Sequence, residues 1–125
     1  MDIRTRFGLL LAFAAVLGAR PAVAQAPAAV TAAAIAQGDS LFHTTGNCYA
    51  CHGANAQGAV GPNLTDAEWI HSDGSYDAIV KQINVGVTAE QAKTKIPMPP
   101  KGGATITDDQ VKAIAAYVYS LSHKK

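Results

Sequence analysis

Apolar residues fall into stretches that differ in spacing, and the spacing predicts what each stretch becomes. Residues 9–17 form an unbroken apolar run. Farther on, Ile35, Gly38, Leu41 and Phe42 recur three and four apart, the repeat of one helix face, and predict a helix over 31–44. Gly38 within that face costs about 1 kcal/mol relative to Ala, so it calls for a close neighbour, most simply a second helix. Tyr76, Ile79, Val80 and Ile83 predict another helix over 75–85, stopped at Gly86. The clearest stripe is Val111, Ile114, Ala115, Val118 and Leu121, in a helix that Thr107-Asp108-Asp109-Gln110 opens as a capping box.

Polar residues and prolines punctuate the rest. A Gly/Ala/Asn loop runs from Gly53 to Gly61, and Gly61-Pro62-Asn63-Leu64 reads as a rigid extended segment. Thr65-Asp66-Ala67-Glu68 fits the capping box and predicts a short helix carrying Trp69. Thr88-Ala89-Glu90-Gln91 fits it again and predicts one turn of helix. The proline-rich stretch from Ile96 to Gly103 suits neither helix nor central strand. No run alternates as a strand does and no repeat is present, so the class is all-α with long loops.

Composition changes the picture at the N-terminus. Arg4 and Arg6, the apolar run and Ala22-Val23-Ala24 have the order of a secretory signal over 1–24, making Gln25 the expected first mature residue. Ala24-Gln25-Ala26 is a competing cut site, and an uncleaved anchor is the alternative. The run is short for a bilayer span once Arg20-Pro21 interrupts it, so no stable membrane insertion is expected after cleavage. An Ala/Pro-rich flexible lead-in over 25–30 then precedes one small domain, 31–125. Residues 25–125 hold seven Lys, no Arg and eight Asp plus Glu, a net charge of −1. That balance argues against nucleic acid, which calls for a basic patch.

The chemistry concentrates in Cys48-Tyr49-Ala50-Cys51-His52, the Cys-x-x-Cys-His spacing of covalent c-type haem. Each thiol adds across one haem vinyl group, one helical turn separates the sulfurs, and the following imidazole becomes the proximal iron ligand. Cys-x-x-Cys alone also suits a dithiol redox centre, half a zinc site or a disulfide. Zinc needs about four ligands, however, and there is no second Cys pair. His43, His71 and His123 are scattered, and the strand context of a dithiol oxidoreductase is missing. Haem attached through Cys48 and Cys51 is therefore the expected cofactor. Because thioether attachment is completed outside the cytoplasm, it agrees with export to the periplasm.

A low-spin electron-transfer haem needs a second axial ligand, usually a Met thioether or another His. Met98 is the one methionine after the signal, 46 residues beyond His52 and stiffened by Pro97 and Pro99. It is the preferred metal ligand opposite His52, and a relatively high potential follows because the soft sulfur favours ferrous iron. A lone Met is otherwise most often a core filler. In that case His71 is the best-placed replacement ligand, or the iron stays five-coordinate and open.

These residues resemble the class I c-type cytochromes over nearly all of residues 31–125. Gly38 and Phe42 are similar to that family's N-terminal helix pair, and Ile114 and Tyr117 to the C-terminal helix pair packed across them. The resemblance implies a small cytochrome c fold, with the terminal helices crossing over one covalent haem. It also implies that Pro62 packs by the proximal His, a nearby carbonyl accepting the ring N–H. Closer in, Pro62 to Asp66, Trp69, Gly74-Ser75, Met98-Pro99 and Asp109-Gln110 resemble haem domains of the di-haem subunit of cbb-type oxidases. This chain has one haem motif and a longer segment before the Met. Trp69 and Tyr76 are candidates to line the haem or reach a propionate, or are plain core aromatics.

The expected function is therefore a periplasmic carrier that moves single electrons between redox enzymes, not an enzyme in itself. A donor and an acceptor protein are its expected partners, a terminal oxidase or dehydrogenase among them. Lys81, Lys93, Lys95 and Lys101 are expected near the distal side, where they would ring the haem edge and steer acidic partners. The alternative is a haem subunit or docked module of a larger oxidoreductase complex. An open-iron enzyme or gas sensor is a third class, and no triad or acid–base pair supports it.

Overall fold

A computed structural model describes residues 26–124; the signal and its cleavage site lie outside the described residues. Four α-helices follow in order: α1 Ala32–His43, α2 Tyr49–His52, α3 Tyr76–Val85 and α4 Asp108–Ser122. A short helical turn, Pro100–Gly103, precedes α4. Each long helix opens on the hydroxyl its sequence offers. The Thr31 side chain accepts from Ala34 N–H, Ser75 from Ala78 N–H, and Thr107 with Gln110 completes both halves of a capping box. Ahead of α1, Val30 N–H donates to the Pro27 carbonyl and Val30 packs against the core.

The α1–α4 crossing organises the domain. A Cβ at Gly38 would collide with the Ala113 carbonyl and the Tyr117 Cβ, so only glycine lets the helices approach this closely. Beside it Phe42 is fully buried, its ring edge-on to Tyr117 at 5.4 Å and 65°. The expected stripe of α4 is buried throughout, and Val111 and Ile114 join Phe42 among the largest fully buried side chains. Burying each such side chain stabilises by roughly 1.5–3 kcal/mol. Ile79 and Ile83 bring α3 onto the same core, and Val80 is half-buried.

Two capping-box readings turn out differently. At 65–68 no helix forms. The Asn63 Oδ1 accepts from the Thr65 N–H at 2.8 Å and its hydroxyl at 2.7 Å, and Asp66 Oδ1 accepts from Glu68 N–H at 3.0 Å. These side chains satisfy the backbone in turns and compete with a helix too short to nucleate itself. At 88–91 the reciprocal Thr88–Gln91 bonds do form, but the chain makes a turn and goes no further. The segment is closed instead by an isolated antiparallel bridge between Val87 and Met98, with paired bonds of 2.8 and 2.9 Å. Gly86, at φ +76°, permits this, because a Cβ there would strike the Met98 carbonyl.

Candidate haem site

The attachment motif is built on one turn of helix. Phe42 C=O takes the Cys48 N–H at 3.0 Å, Asn47 enters with a left-handed φ of 50°, and His52 N–H closes on Cys48 C=O at 3.0 Å. Gly53, at φ 86°, ends the turn. The chain then folds back under the imidazole: Gly58 N–H donates to His52 C=O at 2.7 Å and Gly61 N–H to Cys51 C=O at 2.8 Å. This leaves His52 only 8% exposed, with its Nδ1–H donated to the Pro62 carbonyl at 2.9 Å. Burial pushes the imidazole below its ordinary value, partly offset by that carbonyl. The ring is thus neutral, with its Nε2 lone pair unprotonated, the form a metal ligand requires.

A cleft of about 430 Å³ opens beside the motif, within the range of ligand pockets. Cys48, Cys51, His52, Pro62, Trp69 and Met98 all line it, together with aliphatic side chains of α3 and α4 including Ile79, Ile83 and Val118. Met98 reaches it half-buried from the proline-rich arm; His71 borders it as an exposed residue. Trp69 is half-buried and lies over Gly74, where any Cβ would collide with the indole. Tyr76 goes elsewhere. It is not among the lining residues, but is buried with its hydroxyl donating to Lys112 C=O at 3.3 Å, which joins α3 to α4. Helical spacing places Tyr76 inward but cannot say which inner neighbour it meets.

The residues present fit covalent haem c. Two thiols stand one helical turn apart, a buried neutral imidazole follows, a thioether comes from a separate arm, and the walls are apolar. The competing readings of Cys-x-x-Cys fit less well. Burial pushes the Cys48 thiol up to about 11, whereas dithiol exchange depends on a lowered thiol. Among the described residues no three His, Cys, Asp or Glu side chains gather as a bare metal ion would need.

The expected lysine ring is only partly visible. Of the four, only Lys93 lines the cleft, and it faces Glu68 at 3.8 Å. Lys101 is drawn to Asp108 at 2.9 Å and to Ile106 C=O at 3.0 Å, while Lys95 bonds Glu90 C=O at 3.1 Å. Sequence reasoning also passes over Gly61 as a site residue. A Cβ there would sit 3.0 Å from the His52 ring and 3.2 Å from the Cys51 carbonyl oxygen. Its place directly before Pro62 is the signal that points to it. Val60, Ile70 and Ile96, apolar residues stranded in loops, likewise line the cleft and stay largely exposed.

The family model for cytochrome c matches residues 35–122, from the first turn of α1 to the last residue of α4. The chain belongs to the cytochrome c family. Haem c attached through Cys48 and Cys51 is accordingly its cofactor, and it is an electron carrier. The chain is 43% identical over 90 residues to the cbb3-type cytochrome c oxidase subunit CcoP of Rubrivivax gelatinosus, covering 71% of this chain and 26% of that subunit. It is 37% identical over 91 residues to the corresponding subunit FixP of Sinorhizobium medicae, covering 71% and 30%. The chain thus spans about a quarter to a third of these curated relatives. Among solved structures, cytochrome cL from the marine methylotroph Methylophaga aminisulfidivorans superposes with a TM-score of 0.62 at 26% identity, covering 91% of this chain and 74% of that one. Both the expected fold and the expected likeness to cbb-type haem domains hold. No helix among the described residues is long and apolar enough to cross a membrane.

Proposed function

We propose that this cytochrome c hands single electrons to a membrane-bound terminal oxidase as a docked haem module, with His52 and Met98 as the axial ligands. The observation that carries the partner is the 43% identity to a haem part of a cbb3-type oxidase subunit. Bound haem c supplies a one-electron Fe(III)/Fe(II) couple. The chain's own residues set the conditions for it. Cys48 and Cys51 would hold the haem through thioether bonds, and the Pro62 carbonyl fixes the His52 plane and tautomer. The apolar walls of the cleft would keep water from a bound haem. Met98 would offer a neutral, soft donor from a backbone pinned to Val87.

A free periplasmic shuttle is the second reading. It is favoured by the cytochrome cL match, where coverage of the other chain is 74%, against 26% for the oxidase subunit. In both readings the compartment is the periplasm, supported by the signal pattern at 1–24.

The experiment is to produce the full chain in a host that matures c-type haem, then record its spectra and its native complexes. The ferric protein is expected to show the weak far-red band of thioether-ligated haem, and Met98→Ala to lose it. A wild type without that band overturns Met98 as ligand. Co-migration of haem-stained protein with an active oxidase on native gels supports the docked module. Migration as a small free protein, with undiminished turnover when added to oxidase, supports the shuttle.

A further inference from the structure

His43, the last residue of α1, is not used by the haem cleft, yet both of its ring nitrogens are engaged. Nδ1 lies 2.8 Å from the Asp39 carbonyl oxygen and Nε2 lies 2.7 Å from the Ala54 carbonyl oxygen. Asp39 Oδ1 stands 3.0 Å from the same Nδ1. A carbonyl only accepts, so each bond needs an N–H from the ring. Neutral imidazole has one N–H and imidazolium has two. The geometry therefore selects the charged form. The surroundings agree: the Ala54 carbonyl first, then the Asp39 carbonyl, raise His43 above its ordinary 6.5.

The bond to Ala54 gives the charge a role. Ala54 lies two residues past His52, at the start of the loop that folds back under the proximal imidazole. The His43 ring also stacks on Tyr49, inside the attachment motif, at 6.1 Å and 22°, and meets Tyr117 of α4 edge-on at 6.2 Å. Its ionisable neighbours are thus Asp39 on α1, Tyr49 on α2 and Tyr117 on α4; the loop over 53–58 contributes none. Tyr117 is held above its ordinary range by burial and then by Asp39, so it does not titrate near neutrality.

We propose that His43 is a positioning residue for the haem: as imidazolium it clamps α1 to the loop leaving the attachment motif, and losing its proton lowers the reduction potential. Deprotonation frees one of the two carbonyl bonds and removes a positive charge beside the motif. Ferrous iron carries one positive charge fewer than ferric, so losing a nearby cation favours the oxidised state. By linkage the ferrous protein holds this proton more tightly than the ferric protein. The stability from the clamp is fully present below 6.5 and is lost as pH rises through the raised value. The proposal rests on the electron-carrier reading and adds a pH dependence that the reading does not contain.

The test uses the haem-loaded full chain. With ¹⁵N-labelled histidine, NMR of the ferrous protein is expected to show both His43 nitrogens protonated above pH 6.5. The midpoint potential of the wild type is expected to fall as pH rises through that titration. H43Q, neutral with a single donor group, should give a lower and level potential, and H43R, permanently charged, a higher and level one. A His43 ring that titrates at or below 6.5 overturns the proposal, as does a level wild-type potential. H43Q that keeps the wild-type slope also overturns it, by assigning the slope to another group. The NMR measurement needs no variant and stands if either variant fails to assemble. Loss of any reversible haem couple would overturn the electron-carrier reading itself, whereas an intact couple of level potential removes only the role of His43.

Discussion

The two sides of the haem cleft are held by different means. On the His52 side the backbone closes on itself: the carbonyls of Cys51, His52 and Ala56 take the amides of Gly61, Gly58 and Leu64 at 2.7–2.8 Å, and Pro62 C=O takes the ring. On the Met98 side the backbone is pinned by one bridge to Val87, helped only by the Lys101 side chain reaching Ile106 C=O and Asp108, while Ile96 and Pro97 stay exposed. Its contacts across the cleft are peripheral, Thr94 to Val60 C=O at 3.3 Å and Lys93 to Glu68 at 3.8 Å. Exposed pairs of that kind contribute little. One ligand candidate is thus positioned by a closed loop and the other by a tether, and the tethered side is expected to yield first.

The strongest way to break the contrast is to damage the closed side. Gly61→Val places new atoms against the His52 ring and the Cys51 carbonyl, with overpacking expected to cost about 2–3 kcal/mol. The yield of haem-loaded protein should drop several-fold, as read by haem staining against total protein. Wild-type yield would show that the loop gives way more easily than its hydrogen bonds imply. Met98→Ala damages the other side and should have the opposite signature: haem stays covalently bound, the far-red band vanishes and the potential falls. Gly86→Ala is the subtler distal lesion. It forces a side chain into a left-handed backbone and against the Met98 carbonyl, at a cost of about 1–3 kcal/mol. In guanidinium its far-red band should disappear well before helical circular dichroism does. Simultaneous loss of the two signals would show that the arm and the core are one cooperative unit.

The contrast also explains what is legible in the amino-acid sequence. Helices α1 and α3 announce themselves by a periodic apolar face, and α4 by such a face together with its capping box. Gly38 asks for a helix neighbour from its cost alone, and Ala113 and Tyr117 answer. The closed side is readable only in part. Cys48, Cys51 and His52 fall within five consecutive residues, but the carbonyl that orients the ring belongs to Pro62, ten residues on, and only family likeness suggests it. The capping pattern before Trp69 predicts a helix that Asn63 and Asp66 prevent, because side-chain competition for the backbone leaves no trace in such a pattern. The lysines are legible only in part: Lys93 does reach the cleft, but the ammonium of Lys101 turns to Asp108 and that of Lys95 to the Glu90 carbonyl, contacts that charge spacing alone does not reveal.

The smallest expected effect sharpens the comparison by pH. Lys101, at φ 55°, sits in the turn just after Met98-Pro99-Pro100, and its ammonium reaches Asp108 at the first turn of α4. That hydrogen bond first, then the lysine charge, holds Asp108 below its ordinary 3.8. A carboxylate depressed in the folded state contributes stability that is present above its unfolded value and lost as pH falls through its folded value. The Met98 side should therefore loosen in acid, below about 3.8, whereas the His43 clamp on the His52 side weakens toward alkaline pH. Asp108 is fully exposed, so the effect is a slope and not a collapse. The check is the pH at which the ferric far-red band is half lost, compared between wild type and Asp108→Asn. The variant should show a weaker band already in mild acid and a shallower loss below 3.8. A profile identical to wild type would mean that the Val87–Met98 bridge holds the arm without help from α4.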